Sequence, residues 1–226
     1  MKKNFFAAVA VATSIMLLGA CNSDKEEKAK DGDKKEAVAS VNGVDIPRSE
    51  YDILLEETKA MYAMQGMTEE NMDEATKKQM ETQVIDQLIN TELLFQQAKE
   101  DKITISKEDI DKRLEEMKAN FDDEKKFKDA LEENKLTEES LKERIEKDLL
   151  ITQYLDKNIG EVNVTDAEIQ ASYEKYKESM KNSDQEAPAL EDVKEQLKQQ
   201  TIAEKEQNKV VLILQGLRGE SEIKTF

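Results

Sequence analysis

Residues 37–62 read AVASVNGVDIPRSEYDILLEETKAMY, and this stretch decides the fold. At its centre lies Asn42-Gly43. A two-residue type I′ turn needs positive φ at both positions, which Asn and Gly adopt at least cost, so a short hairpin is predicted from Val38 to Ile46. Ser49 then opens a helix, with Asp52 three residues on in the manner of a capping box. Tyr51, Leu54, Leu55, Thr58, Met61 and Tyr62 share one face of that helix. A tight hairpin running straight into an amphipathic helix is the first piece of a mostly α fold.

Toward higher numbers the helical signal repeats. Gly66 interrupts it, and a second helix is predicted from about Glu74 to Lys99. Its apolar surface is wide: Met80, Val84 and Leu88 form one stripe, Ile85, Ile89 and Leu93 the next, which marks a central helix packed by several others. Ser106 with Asp109 starts a third helix carrying Ile110, Leu114, Met117 and Phe121 inward. Phe127, Ala130 and Leu131 mark a short fourth, and Thr137 caps a fifth with Leu141, Ile145, Leu149 and Thr152 on one face. Thr165 and Glu168 form a capping box before a sixth, with Ile169, Tyr173, Tyr176 and Met180 as its stripe. Polar residues 182–189, with Pro188, predict a loop. The final helix is expected from Leu190 to Leu217, stopped by Gly219, and Ser221 to Phe226 as a last strand paired with the hairpin.

Composition narrows the function. The chain has 226 residues, with 34 Lys and Arg against 51 Asp and Glu, for a net charge of −17. Phosphate binding draws on clustered Lys and Arg, so nucleic acid is not an expected partner. There is no His, which removes Ser-His and Cys-His nucleophile pairs and His-containing zinc sites. A single Cys removes an intrachain disulfide and any multi-Cys metal site. Neither a phosphate-cradling G-x-x-x-x-G-K-[ST] loop nor a G-x-S-x-G elbow occurs, so no nucleotide, cofactor or esterase chemistry is expected. Carboxylates abound, but no Trp is available to stack a sugar between a catalytic pair. Asp31-Gly32-Asp33 and Asp122-Asp123-Glu124 are too short for Ca²⁺ loops of the EF-hand type.

The amino terminus sets the compartment. Lys2 and Lys3 precede an apolar run from Phe5 to Leu18, shorter than the roughly 20 residues a spanning helix needs. The run closes on Leu18-Gly19-Ala20-Cys21, which resembles the lipobox of bacterial lipoproteins. That resemblance implies a signal peptide over 1–20, cleavage between Ala20 and Cys21, and a diacylglyceryl anchor on the Cys21 thiol, placing the protein on the outer face of the cell membrane. Residues 21–36 carry no periodic apolar residue and read as a charged, solvated tether. One helical domain is expected over 37–226.

The order of parts resembles the SurA/PrsA family of extracytoplasmic chaperones and foldases. Ala39-Ser40-Val41-Asn42-Gly43-Val44-Asp45-Ile46 is similar to the family's opening hairpin. Gln87-Leu88-Ile89-Asn90-Thr91-Glu92-Leu93-Leu94 followed by Ala98 is similar to its "LI-x-x-x-LL-x-x-A" helix, and Val164-Thr165-Asp166-Ala167-Glu168-Ile169 with Tyr173 to its "VTD" segment. The resemblance implies that the last strand returns to the first, so that both chain ends complete one domain. It also implies a chaperone that binds unfolded or partly folded exported proteins without ATP. In PrsA foldases a parvulin-type prolyl isomerase domain lies between the "VTD" helix and the closing helix and typically uses paired His. Here that interval is residues 182–189, so no enzymatic activity is expected. The alternatives are a peptidyl-prolyl isomerase of the PrsA type and a surface adaptor with one dedicated partner.

Five of nine methionines fall between positions 61 and 80. Met side chains are flexible and polarisable and suit surfaces that re-pack against varied apolar sequences. Met61 and Met80 are expected in the core. Met64, Met67 and Met72 flank Gly66 in polar sequence and are expected to be exposed and to bind clients.

Overall fold

The computed structural model describes residues 37–134, 136–181 and 187–226. The signal residues with Ala20 and Cys21, the tether 21–36, and residues 182–186 of the expected loop lie outside them.

The hairpin forms as expected. Strand β1 (Ala37–Val41) turns through Asn42 (φ 52°) and Gly43 (φ 81°) into β2 (Val44–Pro47). Val41 faces Val44, and Ser40 faces Asp45, in antiparallel register. Strand β3 (Ile223–Thr225) pairs antiparallel with the other edge of β1, Val41 opposite Ile223 and Ala39 opposite Thr225. The sheet order is therefore β2-β1-β3. Val38, Ala39, Ser40 and Val41 are all buried, so β1 is covered on both faces. Its weak apolar alternation in sequence has this cause.

Seven helices are described: α1 (Arg48–Met64), α2 (Glu74–Glu100), α3 (Lys107–Lys118), α4 (Glu124–Glu133), α5 (Glu138–Ile159), α6 (Asp166–Met180) and α7 (Leu190–Glu220). The fold is mostly α with a small sheet, and none of these helices is long and apolar enough to cross a membrane. Local side-chain chemistry starts most of them. The Ser106 hydroxyl accepts from Asp109 N–H, Thr137 from Ser140 N–H, and Thr165 from Glu168 N–H, with the Glu168 carboxylate closing the box on Thr165 N–H. Asp73 and Asp123 cap α2 and α4 in the same way.

Two boundaries depart from expectation. Helix α1 begins one residue earlier, after Pro47, whose φ of −67° suits a helix entry but whose side chain caps nothing. Ser49 and Asp52 therefore lie within the helix. Helix α7 runs through Gly216 and Gly219 to Glu220, so Gly219 is not its stop. Backbone bonding from β3 to β1 directly beyond the helix sets its end instead, including Asn42 N–H to Glu222 O at 2.8 Å.

The chain divides into two compact units, with joints inside α5 and α7. The sheet unit holds the described residues up to Tyr154 and again from Gly216 to Phe226. One cluster in it joins Val38, Val41, Ile46 and Tyr51 to Val84, Ile89 and Leu93 of α2, with Leu217 and Ile223 packed against it. A second joins Leu114, Phe127, Leu141 and Ile145, so α3, α4 and α5 share a core. The other unit, Leu155–Gln215, packs Ile169 of α6 against Val193 and Leu197 of α7. Ser172 and Thr201 share a hydrogen bond there (2.8 Å), and Lys205 Nζ donates to the Glu168 carboxylate (2.6 Å) and to Asn163 O (2.9 Å).

Candidate functional site

Helix α1 outruns the core that it helps to build. Tyr51, Leu54 and Leu55 are spent on the sheet cluster. Two turns later the same side of the helix has no strand beneath it, and the apolar residues it carries meet solvent. Met61 is 52% exposed and Met64 65%. These two are three residues apart and so neighbours on the helix surface.

The helix ends in a Schellman arrangement. Met67 N–H donates to Tyr62 O (3.0 Å) and Gly66 N–H to Ala63 O (2.9 Å), with Gly66 at φ 82° in the left-handed position. The turn reverses the chain and leaves Met67 38% exposed. The rest of the connection is tied down. Asn71 Nδ2 donates to Gly66 O (2.9 Å), and Met72 N–H to Thr68 O (3.1 Å). Lys59 Nζ bonds Glu56 of its own helix (2.9 Å) and reaches Glu69 across the turn (3.5 Å). Asp73 then caps α2 by accepting from Thr76 N–H (2.7 Å), which holds its carboxyl below the usual carboxylate range.

The methionine expectations are corrected in two places. Met72 is buried, at 9% exposure, because the ordered turn folds it back, so it anchors the loop rather than lining a surface. Met61, expected in the core, is exposed because the sheet cluster takes only the first half of α1. Met80 is buried as expected, and Met64 and Met67 are exposed as expected. The surface thus consists of Met61, Met64 and Met67 on an ordered scaffold. Sequence reasoning missed Met61, and no local signal distinguishes it from Leu54, which sits seven residues before it on the same face.

Burial pushes the Glu57 carboxyl on α1 above its usual range, with the Arg144 guanidinium opposing. Asp148 on α5 is raised by burial too, against Arg113. Asp122 and Asp123 serve α4: Asp123 caps it and Asp122 pairs with Lys126.

A polar network fastens the sheet unit closed. Asn42 Nδ2 donates to Gln96 Oε1 (2.9 Å) and Ser221 Oγ (3.2 Å), while its Oδ1 accepts from Glu222 N–H (2.9 Å). Gln96 Nε2 donates to Val41 O (3.1 Å) and to the buried Glu92 (2.8 Å), which Lys147 pairs at 3.2 Å. Arg218 reaches α2 with Nε on Asn90 (2.8 Å) and Nη2 on Asp86 (2.8 Å). The Asn42 contacts hold the segment beyond α7 against the hairpin, and the Arg218 contacts hold the end of α7 against α2.

Comparison with known proteins accords with this architecture. A family model, the SurA-like N-terminal domain, matches residues 1–155, which end one residue past the Tyr154 joint of the sheet unit. Foldase protein PrsA of Clostridium botulinum (strain 657 / Type Ba4) is 29% identical over 182 residues, covering 76% of this chain and 53% of the relative. Foldase protein PrsA of Caldanaerobacter subterraneus subsp. tengcongensis is 33% identical over 181 residues, covering 77% of this chain and 51% of the relative. The chain spans about half the length of the curated relatives it matches. The matched residues include the hairpin and the central helix α2, and this chain belongs to the SurA/PrsA-type family and carries a SurA-like N-terminal domain.

Proposed function

We propose that this protein is an extracytoplasmic, ATP-independent chaperone, anchored to the membrane through lipid on Cys21, that holds unfolded or partly folded exported proteins. The observation that carries the reading is the exposed methionine surface at the end of α1, in a chain of a chaperone and foldase family. Exposed thioethers on an ordered scaffold offer apolar area without a rigid shape to match, so varied sequences fit. Fully burying one such side chain is worth about 1.5–3 kcal/mol. Three give contacts weak enough, after the cost of association, to release clients without nucleotide hydrolysis. The proposal assigns no isomerase activity: nine residues join α6 to α7, where the resemblance places the parvulin domain, and the chain has no His.

The test replaces Met61, Met64 and Met67 together with Gln in the full chain. Suppression of aggregation of a chemically unfolded model protein is measured, with thermal stability as control. Holdase activity is expected to fall several-fold at unchanged melting temperature. Unchanged activity removes this surface from the function. Acceleration of cis–trans exchange in an Xaa–Pro peptide by the purified chain would overturn the non-enzymatic part.

A further inference from the structure

The charge around the methionines is strongly one-sided. Residues 50–74 hold eight acids and one base, Lys59. Glu50, Asp52, Glu69, Glu70 and Glu74 are all exposed. Lys59 is occupied, at 2.9 Å from Glu56 and 3.5 Å from Glu69. Two bases from outside the stretch act on it, Lys77 on Glu74 (3.1 Å) and Arg144 on Glu57, so that the eight acids still outnumber the three bases. The three thioethers carry no charge, so a segment docking on them enters a negative potential from both the helix before Gly66 and the loop after it. An apolar segment bearing its own acids would be repelled. One flanked by cations would gain screened attraction on several sides at once, besides faster encounter.

We infer that the Met61, Met64 and Met67 surface selects apolar client segments flanked by Lys or Arg over the same segments flanked by acids. The inference rests on the reading of that surface as the client site and adds its specificity. The methionines supply adhesion that is indifferent to sequence, and the surrounding carboxylates supply the choice. Exposed charge contacts are each worth about 1.5- to 5-fold in affinity at moderate salt, so a preference of roughly tenfold needs only a few of them. It must also fade with salt, since the Debye length drops from about 10 Å at 0.1 M to about 3 Å at 1 M.

The experiment uses the full chain and three synthetic peptides sharing one apolar core, flanked by Lys, by Ser or by Glu. Binding is read by fluorescence anisotropy at 0.05 M and 0.5 M salt. The Lys-flanked peptide is expected to bind about tenfold more tightly than the Glu-flanked one at low salt, with the gap closing at high salt. Glu69→Gln with Glu70→Gln is expected to reduce that gap at least threefold, read as the ratio of Lys- to Glu-flanked affinities so that any loosening of the loop held by Lys59 and Glu69, which would shift all three peptides alike, cancels. Glu132→Gln with Glu133→Gln is the control: it removes the same charge from exposed positions of α4, whose apolar residues join a different cluster. Equal binding of Lys- and Glu-flanked peptides, or an equal effect of the control pair, overturns the inference while Ser-flanked binding leaves the chaperone reading standing. If no peptide binds, both fall. Circular dichroism melts confirm that each variant is folded.

Discussion

Asn42 is the position where one substitution most directly tests how the sheet unit is closed. Its side chain makes three hydrogen bonds, to Gln96, to Ser221 and from Glu222 N–H, and its backbone sits at φ 52°. Asn42→Ala removes all three and forces a Cβ-bearing residue with no compensating side-chain bond into the left-handed region. Exposed hydrogen bonds are worth about 0.5–1 kcal/mol each, the low end of the usual range, and the left-handed conformation costs Ala about 1 kcal/mol. The loss is about 2–4 kcal/mol, directed at β3. Asn42→Gly loses the same hydrogen bonds without the conformational term, so it should fall about 1 kcal/mol short of Ala. Hydrogen exchange read by mass spectrometry suits the question, because the chain has two units and a global melt would blend them. Protection of the peptide containing residues 221–226 is expected to drop roughly 30- to 1,000-fold in Asn42→Ala, since about 1.4 kcal/mol is a factor of ten. Protection in α6, a member of the other unit, should not change. A drop of less than threefold at 221–226 would refute the claim that Asn42 fastens this segment.

Three further outcomes are expected. Cys21→Ala should leave the protein unprocessed or shift it from membrane to soluble fractions, checked by fractionation and by the mass of the mature amino terminus; a native terminus without acyl mass would refute lipidation. Glu57→Gln should raise the melting temperature at pH 7: burial lifts the folded carboxyl above its unfolded value, so ionised Glu57 weakens the fold at neutral pH. The wild type should gain on the variant as pH falls through the folded value toward the ordinary carboxylate range, and a gap that widens in acid would show the sign to be wrong. Ser106→Ala should cost about 1 kcal/mol through the lost cap on α3, whereas Ser49→Ala, an exposed non-capping position inside the first turn of α1, should be neutral or gain a few tenths of a kcal/mol, because Ala is the better helix former; urea denaturation of both variants compares them.

What could be read from sequence was what local chemistry decides. The Asn42-Gly43 turn, the caps at Ser106, Thr137 and Thr165, and the stripe of α3 each depend on residues within a few positions, so pattern and structure agree. In α5 the stripe holds for Leu141, Ile145 and Leu149 but not for Thr152, which is exposed, while Leu150, Ile151, Tyr154 and Leu155 are buried. The start of α1 was displaced because Pro47, with its fixed φ, can begin a helix without any capping side chain. Gly219 did not end α7: a glycine inside a helix costs only about 1 kcal/mol, and the helix runs one residue further, to Glu220, before the chain enters β3. The exchange of roles between Met61 and Met72 lies beyond periodicity altogether. Helical spacing says that a residue shares a face with Leu54; it does not say how far along the helix the partner surface extends. The joints of the two units at Tyr154 and Gln215 both fall inside unbroken helices and so leave no break in the helical pattern. The acidic bias of residues 50–74, by contrast, is a plain count, and it takes on meaning only once the methionines beside it are known to be exposed.

The position of β1 between β2 and β3 has a consequence for how the chain matures. Chains grow amino end first, so β1 and β2 meet at once, whereas the residues that seal the far edge of β1 lie about 180 positions later. Throughout that interval β1 presents an open row of amide and carbonyl groups. Closing so long a loop costs little more than closing a shorter one, about 0.6 kcal/mol per doubling, but it sets the pace, since distant pairing is slow. A nascent chain halted before Ile223 would therefore hold the hairpin and its packed helices α1 and α2 with an unsealed strand, a state prone to recruit a foreign strand into the vacancy. A nonsense mutation near codon 220 should for this reason be far more harmful than the few residues it removes would suggest.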